Sequence, residues 1–138
     1  MAKLSLAEVL KKCSEFEKKQ QRIEALQYNA SEPMKIVLQY MFHPAVNFLL
    51  PEGAPPYKTS EFNEPNMLYS NTRKLYHFIE GGNPDLSQIK RESMFIDLLQ
   101  SVDSDDAELL IAMKEKKSPF KGLTQDVVLA AFPELFPT

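Results

Sequence analysis

The strongest constraint on this chain is the punctuation that starts and stops helices. Ser5-Leu6-Ala7-Glu8 has the spacing of a capping box, in which the serine accepts from an exposed amide and the glutamate reaches back. Ser14-Glu15-Phe16-Glu17 repeats the pattern. Two start signals this close predict a short helix, a bend and a second helix to about Tyr28, with one continuous helix as the alternative. Ser31-Glu32-Pro33 opens a third, with proline in the first turn, where its missing N–H costs nothing. Met34, Val37, Leu38 and Met41 then give the i, i+3, i+4, i+7 stripe of a buried face, and Pro44 ends it.

Residues 51–65, PEGAPPYKTSEFNEP, have no helical period and carry Pro51, Pro55, Pro56 and Pro65. A loop of this length in a compact domain is functional or ordered by packing. A fourth helix is expected from about Pro65 to Glu80, with Leu68, Leu75, Phe78 and Ile79 inward, stopping at Gly81-Gly82. Asn83-Pro84 is expected to cap a fifth, reaching about Ser101. Ser104 caps a sixth, with Asp105, Asp106 and Glu108 in the turn where the helix dipole favours negative charge. Thr124 caps a seventh, which breaks at Pro133. No segment alternates with period two. The sequence therefore predicts an all-α protein, one domain over residues 1–138 with six or seven helices and a proline-rich loop at 51–65.

Charge and cysteine narrow the setting. A formal net charge of −3 argues against a generic basic nucleic-acid coat, though a local basic patch remains open. The single cysteine, Cys13, cannot close an internal disulfide, which fits a reducing compartment. No apolar run approaches the ~18 residues of a membrane span, and MAKLSLAEVLKK lacks a signal-peptide core. The expectation is an intact cytoplasmic protein with no membrane partner.

Catalytic constellations are sparse. His43 and His77 lie far apart and lack partners at metal-ligand or triad spacing, so structural roles are expected. Cys13 shares an apolar face with Val9, Leu10 and Phe16 and reads as a small buried hydrophobe. The run Asp103-Ser104-Asp105-Asp106 lacks the glycine and terminal glutamate of a calcium loop, and helix capping accounts for it. Gly81-Gly82 reads as a helix C-cap, and no nucleotide-binding fingerprint occurs. The expectation is no enzyme, no cofactor and no metal.

The densest positive charge is Lys114, Lys116, Lys117 and Lys121. One reading of these lysines is a solvated face that complements a helix C-terminus. The functional alternative is a phosphate-binding corner. Gly122 would let backbone approach a ligand, and the next helix would present free N–H groups near Thr124.

The C-terminal third resembles the end of the all-helical DNA-binding domain of ATP-dependent DNA ligases, of the T-even bacteriophage type. The matching residues are the acidic helix start Asp105-Asp106-Ala107-Glu108-Leu109-Leu110 and the helix carrying Met113. They continue through the turn at Gly122 and then Val127, Val128 and Ala131 to Phe132-Pro133-Glu134-Leu135-Phe136-Pro137. Earlier parts agree in order: a Gln/Lys-rich helix over Lys18 to Gln27, an aromatic stretch into a proline loop over Phe42 to Pro56, and a helix ending near Gly82-Asn83. The chain is also similar to a family of small tailed-phage proteins in which PPYK and the GLT…AFP ending recur.

The ligase resemblance implies a domain that grips duplex DNA across the minor groove, largely through the backbone. Gly122 and Thr124 match its turn. The four lysines, with Lys58 and Arg73 as further candidates, are added on charge alone. No Lys-x-Asp-Gly adenylation motif occurs, so the ligase chemistry is not implied. The expected function is that of a freestanding, non-catalytic phage accessory protein in the host cytoplasm. It would bind duplex DNA weakly, or the DNA-metabolism or transcription machinery. The rival is a protein-interaction module, such as a host-takeover factor or virion component, bound to a phage or host protein. Convergence of the named cations would favour DNA, and dispersal a protein.

Overall fold

The computed structural model describes residues 4–59 and 66–136. Among them the chain forms seven α-helices and two 3-10 segments, and its one β feature is an isolated antiparallel bridge between Phe48 and Ile79. The all-α expectation holds.

Helix α1 (Leu6–Ser14) starts where the sequence placed it, Ser5 Oγ accepting from the Glu8 amide at 3.3 Å. Glu8 meets the serine hydroxyl at 3.1 Å. The second capping box does not form. Ser14 stays inside α1, buried, and its hydroxyl donates to Lys11 O at 2.7 Å. Helix α2 (Lys19–Tyr28) begins only after a bend, where Gln21 Oε1 accepts from Lys18 N at 3.2 Å. Arg22 fastens that bend, its Nε donating to Phe16 O at 2.7 Å and an Nη to Glu17 O at 3.1 Å. The short-helix, bend, helix reading was right, by a different cap.

Helix α3 (Glu32–Phe42) is capped by Ser31 and buries Met34, Val37, Leu38 and Met41. The segment before the fourth helix lies partly outside the described residues, as does the expected start at Pro65. Helix α4 (Met67–Asn71) passes into a 3-10 segment over Thr72–Phe78, not one helix to Glu80. It stops short because Ile79 is extended: Leu49 N donates to Phe78 O and Glu80 N to Asn47 O, both at 2.8 Å. Helix α5 (Gln88–Ser101) is capped by Ser87, not by Asn83-Pro84. The Asn83 side chain instead meets His77 Nδ1 at 3.0 Å. Helix α6 (Ser104–Lys114) has Asp103 at its N-cap and not Ser104, which is its first helical residue, whereas α7 (Gln125–Ala131) is capped by Thr124 as expected.

The core explains the order of elements. Helix α6 packs against α1, α3 and α5, and α2 pairs with α7. A helix with three neighbours must be apolar on more than one face, and α6 buries Ala107, Leu109, Leu110 and Met113. Proline loop residues 51–59 lie across α5 and α6: Lys58 N donates to Gln100 Oε1 at 3.1 Å, and Gly53 N to Glu115 Oε1 at 2.9 Å. These hydrogen bonds hold residues 51–59 against the helices. The apolar tail docks inward too, with Gln27 Nε2 donating to Ala131 O, Gln39 Nε2 to Leu135 O, and His43 stacked on Phe136 at 5.8 Å.

Candidate functional site

The basic segment does not present four free lysines. Lys114 is buried, its Nζ donating to Pro51 O at 2.8 Å and pairing with Glu115 at 2.9 Å. Lys116 sits at φ 59 and turns inward to the end of α3. There its Nζ donates to Tyr40 O at 2.5 Å and His43 O at 2.7 Å. The Tyr40 carbonyl is orphaned by the helix terminus because Pro44 has no N–H to give it, while His43 O also accepts from Val46 N, and the ammonium bonds both. Burial pulls that ammonium down to about 8. Lys117 and Lys121 are exposed.

Gly122 does approach backbone closely, but the backbone is its own. A Cβ there would stand 2.1 Å from Ser14 O and 3.0 Å from Arg22 Nε. Thr124 Oγ1 accepts from Val127 N at 3.4 Å. Around this corner a groove of about 530 Å³ brings Lys11, Arg22 and Lys121 together beside Gly122. Lys58, on the proline loop, and Arg73, on the 3-10 segment, are exposed and do not line it. Sequence reasoning missed Lys11 and Arg22, because nothing local marks them as neighbours of a residue about a hundred positions later.

Two further surfaces emerge along α1. Between α1 and α2 a groove of about 470 Å³ is lined by Val9, Cys13, Phe16, Ala25 and Tyr28, with Lys12 and Glu24 at its rim. Phe16 is 46% exposed and Tyr28 91%. Cys13 is buried, with Asn29 Nδ2 3.7 Å from its sulfur, and burial pushes the thiol up. His43 and His77 are likewise engaged structurally. His43 Nδ1 accepts from Ala45 N at 3.0 Å, and His77 lies between Tyr76 and Phe78.

The second surface is acidic. Carboxylate oxygens of Glu8, Asp103 and Asp105 come within 4.8 Å of one another, joining α1 to the start of α6. Asp106, expected to complement the helix dipole from outside, is completely buried and accepts from Ala7 N at 2.8 Å. It therefore caps α1 from α6. Burial pushes its carboxyl up to about 7, and Asp103, Asp105 and Glu8 add to the rise. Burial, then Asp106 and Glu8, also push up the Tyr69 phenol. Glu8 and Asp105 open onto a groove of about 580 Å³ between α1 and α6.

A family model described as a family of unknown function, DUF6433, matches residues 9–118. The chain belongs to that family. The matched span runs from α1 through α6 and so contains the α1–α2 groove, Asp103 and Asp105, while Glu8, the Gly122 corner and α7 lie beyond it. No curated protein and no solved structure matches the chain. Among the described residues no helix is long and apolar enough to cross a membrane.

Proposed function

We propose that this protein is a non-catalytic helical binding module whose partner is another protein, held in the groove between α1 and α2. One observation carries the reading: Phe16 and Tyr28 stand 46% and 91% exposed over an apolar floor of Val9, Cys13 and Ala25. Exposed aromatics over an apolar pocket are the anchors that protein interfaces favour. The dispersal of cations supports it as well. Lys114 and Lys116 bond to main-chain oxygens of their own chain, and Lys58 and Arg73 stand away from the Gly122 corner. The non-catalytic part rests on Cys13, His43 and His77, each engaged in packing or local hydrogen bonds.

A second reading is a phage-type module, similar to the ligase DNA-binding domain, that binds duplex DNA. It is favoured by the groove where Lys11, Arg22 and Lys121 meet. One experiment separates the two. A photo-cross-linking amino acid replaces Tyr28, or the exposed Ile89 on α5 as control, in cells that produce the protein. A discrete adduct from position 28 is expected, absent from position 89 and lost when Phe16→Asp is added. In parallel, labelled duplex is titrated at low salt. Binding in the range of roughly 10⁻⁴ to 10⁻⁶ M that weakens with salt and disappears in K11Q/K121Q establishes the DNA reading instead.

A further inference from the structure

The acidic corner between α1 and α6 holds more negative charge than two helix N-termini need. Glu8, Asp103 and Asp105 bring carboxylate oxygens within 4.8 Å of one another from two helices far apart in sequence. Asp106 supplies an independent observation. It is fully buried, Ala7 N accounts for its Oδ1, and its Oδ2 has no hydrogen-bond partner. A buried carboxylate oxygen without a donor is uncommon and points to an ion or a water in its place. Dipole complementarity does not explain this, since it needs neither a buried carboxylate nor the convergence of Glu8.

The geometry points to a divalent cation site of the calcium class, formed by Glu8, Asp103 and Asp105 with Asp106 behind them. The donors are all hard oxygens, with no thiolate or imidazole, which selects calcium, magnesium or manganese over zinc or copper. Carboxylate count separates these. Magnesium is usually held by one or two carboxylates and keeps several waters, whereas calcium draws more of its shell from protein oxygens. Three convergent carboxylates suit the larger ion. Access is built in, because Glu8, Asp105 and Glu108 line the groove that opens onto the corner. The ion would tie the first turn of α1 to the first turn of α6.

The test uses the full chain, stripped with a chelator. Adding calcium to about 100 times its dissociation constant should raise Tm by about 9 °C in a domain of this size. D105N, an exposed position, should abolish that shift, and E8Q should do the same. Terbium provides a direct readout. Excited through Tyr69, it should luminesce with the wild type, lose most of the signal in Y69F, and be displaced by calcium. The proposal is overturned if calcium leaves Tm unchanged, or if D105N and E8Q respond as the wild type does. A response to magnesium at tenfold lower concentration than calcium overturns the choice of ion.

Discussion

Gly122→Ala is the sharpest test of how this fold closes. The glycine was expected to bring backbone toward a ligand, yet its missing side chain makes room for Ser14. An added Cβ would lie 2.1 Å from Ser14 O, 3.1 Å from Ser14 C and 3.0 Å from Arg22 Nε. Two of these atoms are main chain and cannot rotate away. Either the turn or the C-terminal end of α1 must move by about an ångström, which loosens the Arg22 bonds to Phe16 O and Glu17 O. Overpacking of this kind costs about 1–3 kcal/mol, and a backbone clash belongs at the upper end. The opposing gain from a stiffer unfolded chain is only about 0.4–1 kcal/mol. A net loss of about 2 kcal/mol lowers Tm by about 7 °C, taking an unfolding entropy near 2.1 cal/mol/K per residue. Gly53→Ala is the internal reference. Its φ is +84° but nothing lies within 4 Å of the added carbon, so only the left-handed backbone penalty of about 1 kcal/mol applies. Thermal unfolding followed by circular dichroism should rank Gly122→Ala below Gly53→Ala. A Gly122→Ala protein as stable as the wild type would refute the packing of this turn against α1.

Three further outcomes follow from buried polar groups. The folded-state value of Asp106, about 7, lies above its ordinary 3.8, so the folded protein holds that proton more tightly than the unfolded chain. In chelating buffer its contribution is fully present below about pH 4 and fades as pH rises through 7. The ceiling is about 4 kcal/mol, and urea titrations at pH 5 and 8 should show the loss in wild type but not in Asp106→Asn. Lys116→Met leaves the Tyr40 carbonyl without a donor and His43 O with Val46 N alone and should cost about 1–3 kcal/mol, whereas Lys117→Met, at an exposed position, should stay within about 0.5 kcal/mol. Arg91 is buried and donates to the carbonyls of His77, Asn83 and Leu86; Arg91→Met should cost about 3 kcal/mol in chemical denaturation, and no measurable loss would refute its bracing role.

The helices were legible because their signals are local. Ser5, Ser31 and Thr124 each bond the amide three residues on, as their spacing requires. Where prediction slipped, tertiary contacts overrode a local signal. Ser14 has the right neighbours for a cap, but burial against the Gly122 turn holds it inside α1. Asn83 is a good cap residue, yet His77 and Arg91 engage it and the helix waits for Ser87. The candidate site was less legible for the same reason. A cluster of four lysines in sequence says nothing about which ammonium groups will find an orphaned carbonyl. Two of them did, and the cations that line the Gly122 groove came partly from α1 and α2.

Helix α1 joins the two proposed sites. Successive residues on a helix point about 100° apart, so Glu8 can face the acidic corner while Val9 and Cys13 line the aromatic groove. A cation held by Glu8 and α6 would therefore leave the groove open, and a partner over Tyr28 would not cover the carboxylates. The two sites still share one body. The first turn of α1 depends on Ser5 and on Asp106, and Asp106 comes from α6. Neutralising the corner with an ion removes repulsion at that turn, so α1 becomes a firmer wall for the groove. Ordering energy that a partner would otherwise have to supply is then already in place. Calcium should consequently strengthen partner binding at Phe16 and Tyr28 without touching either ring. That coupling should vanish in D105N, whose groove is intact.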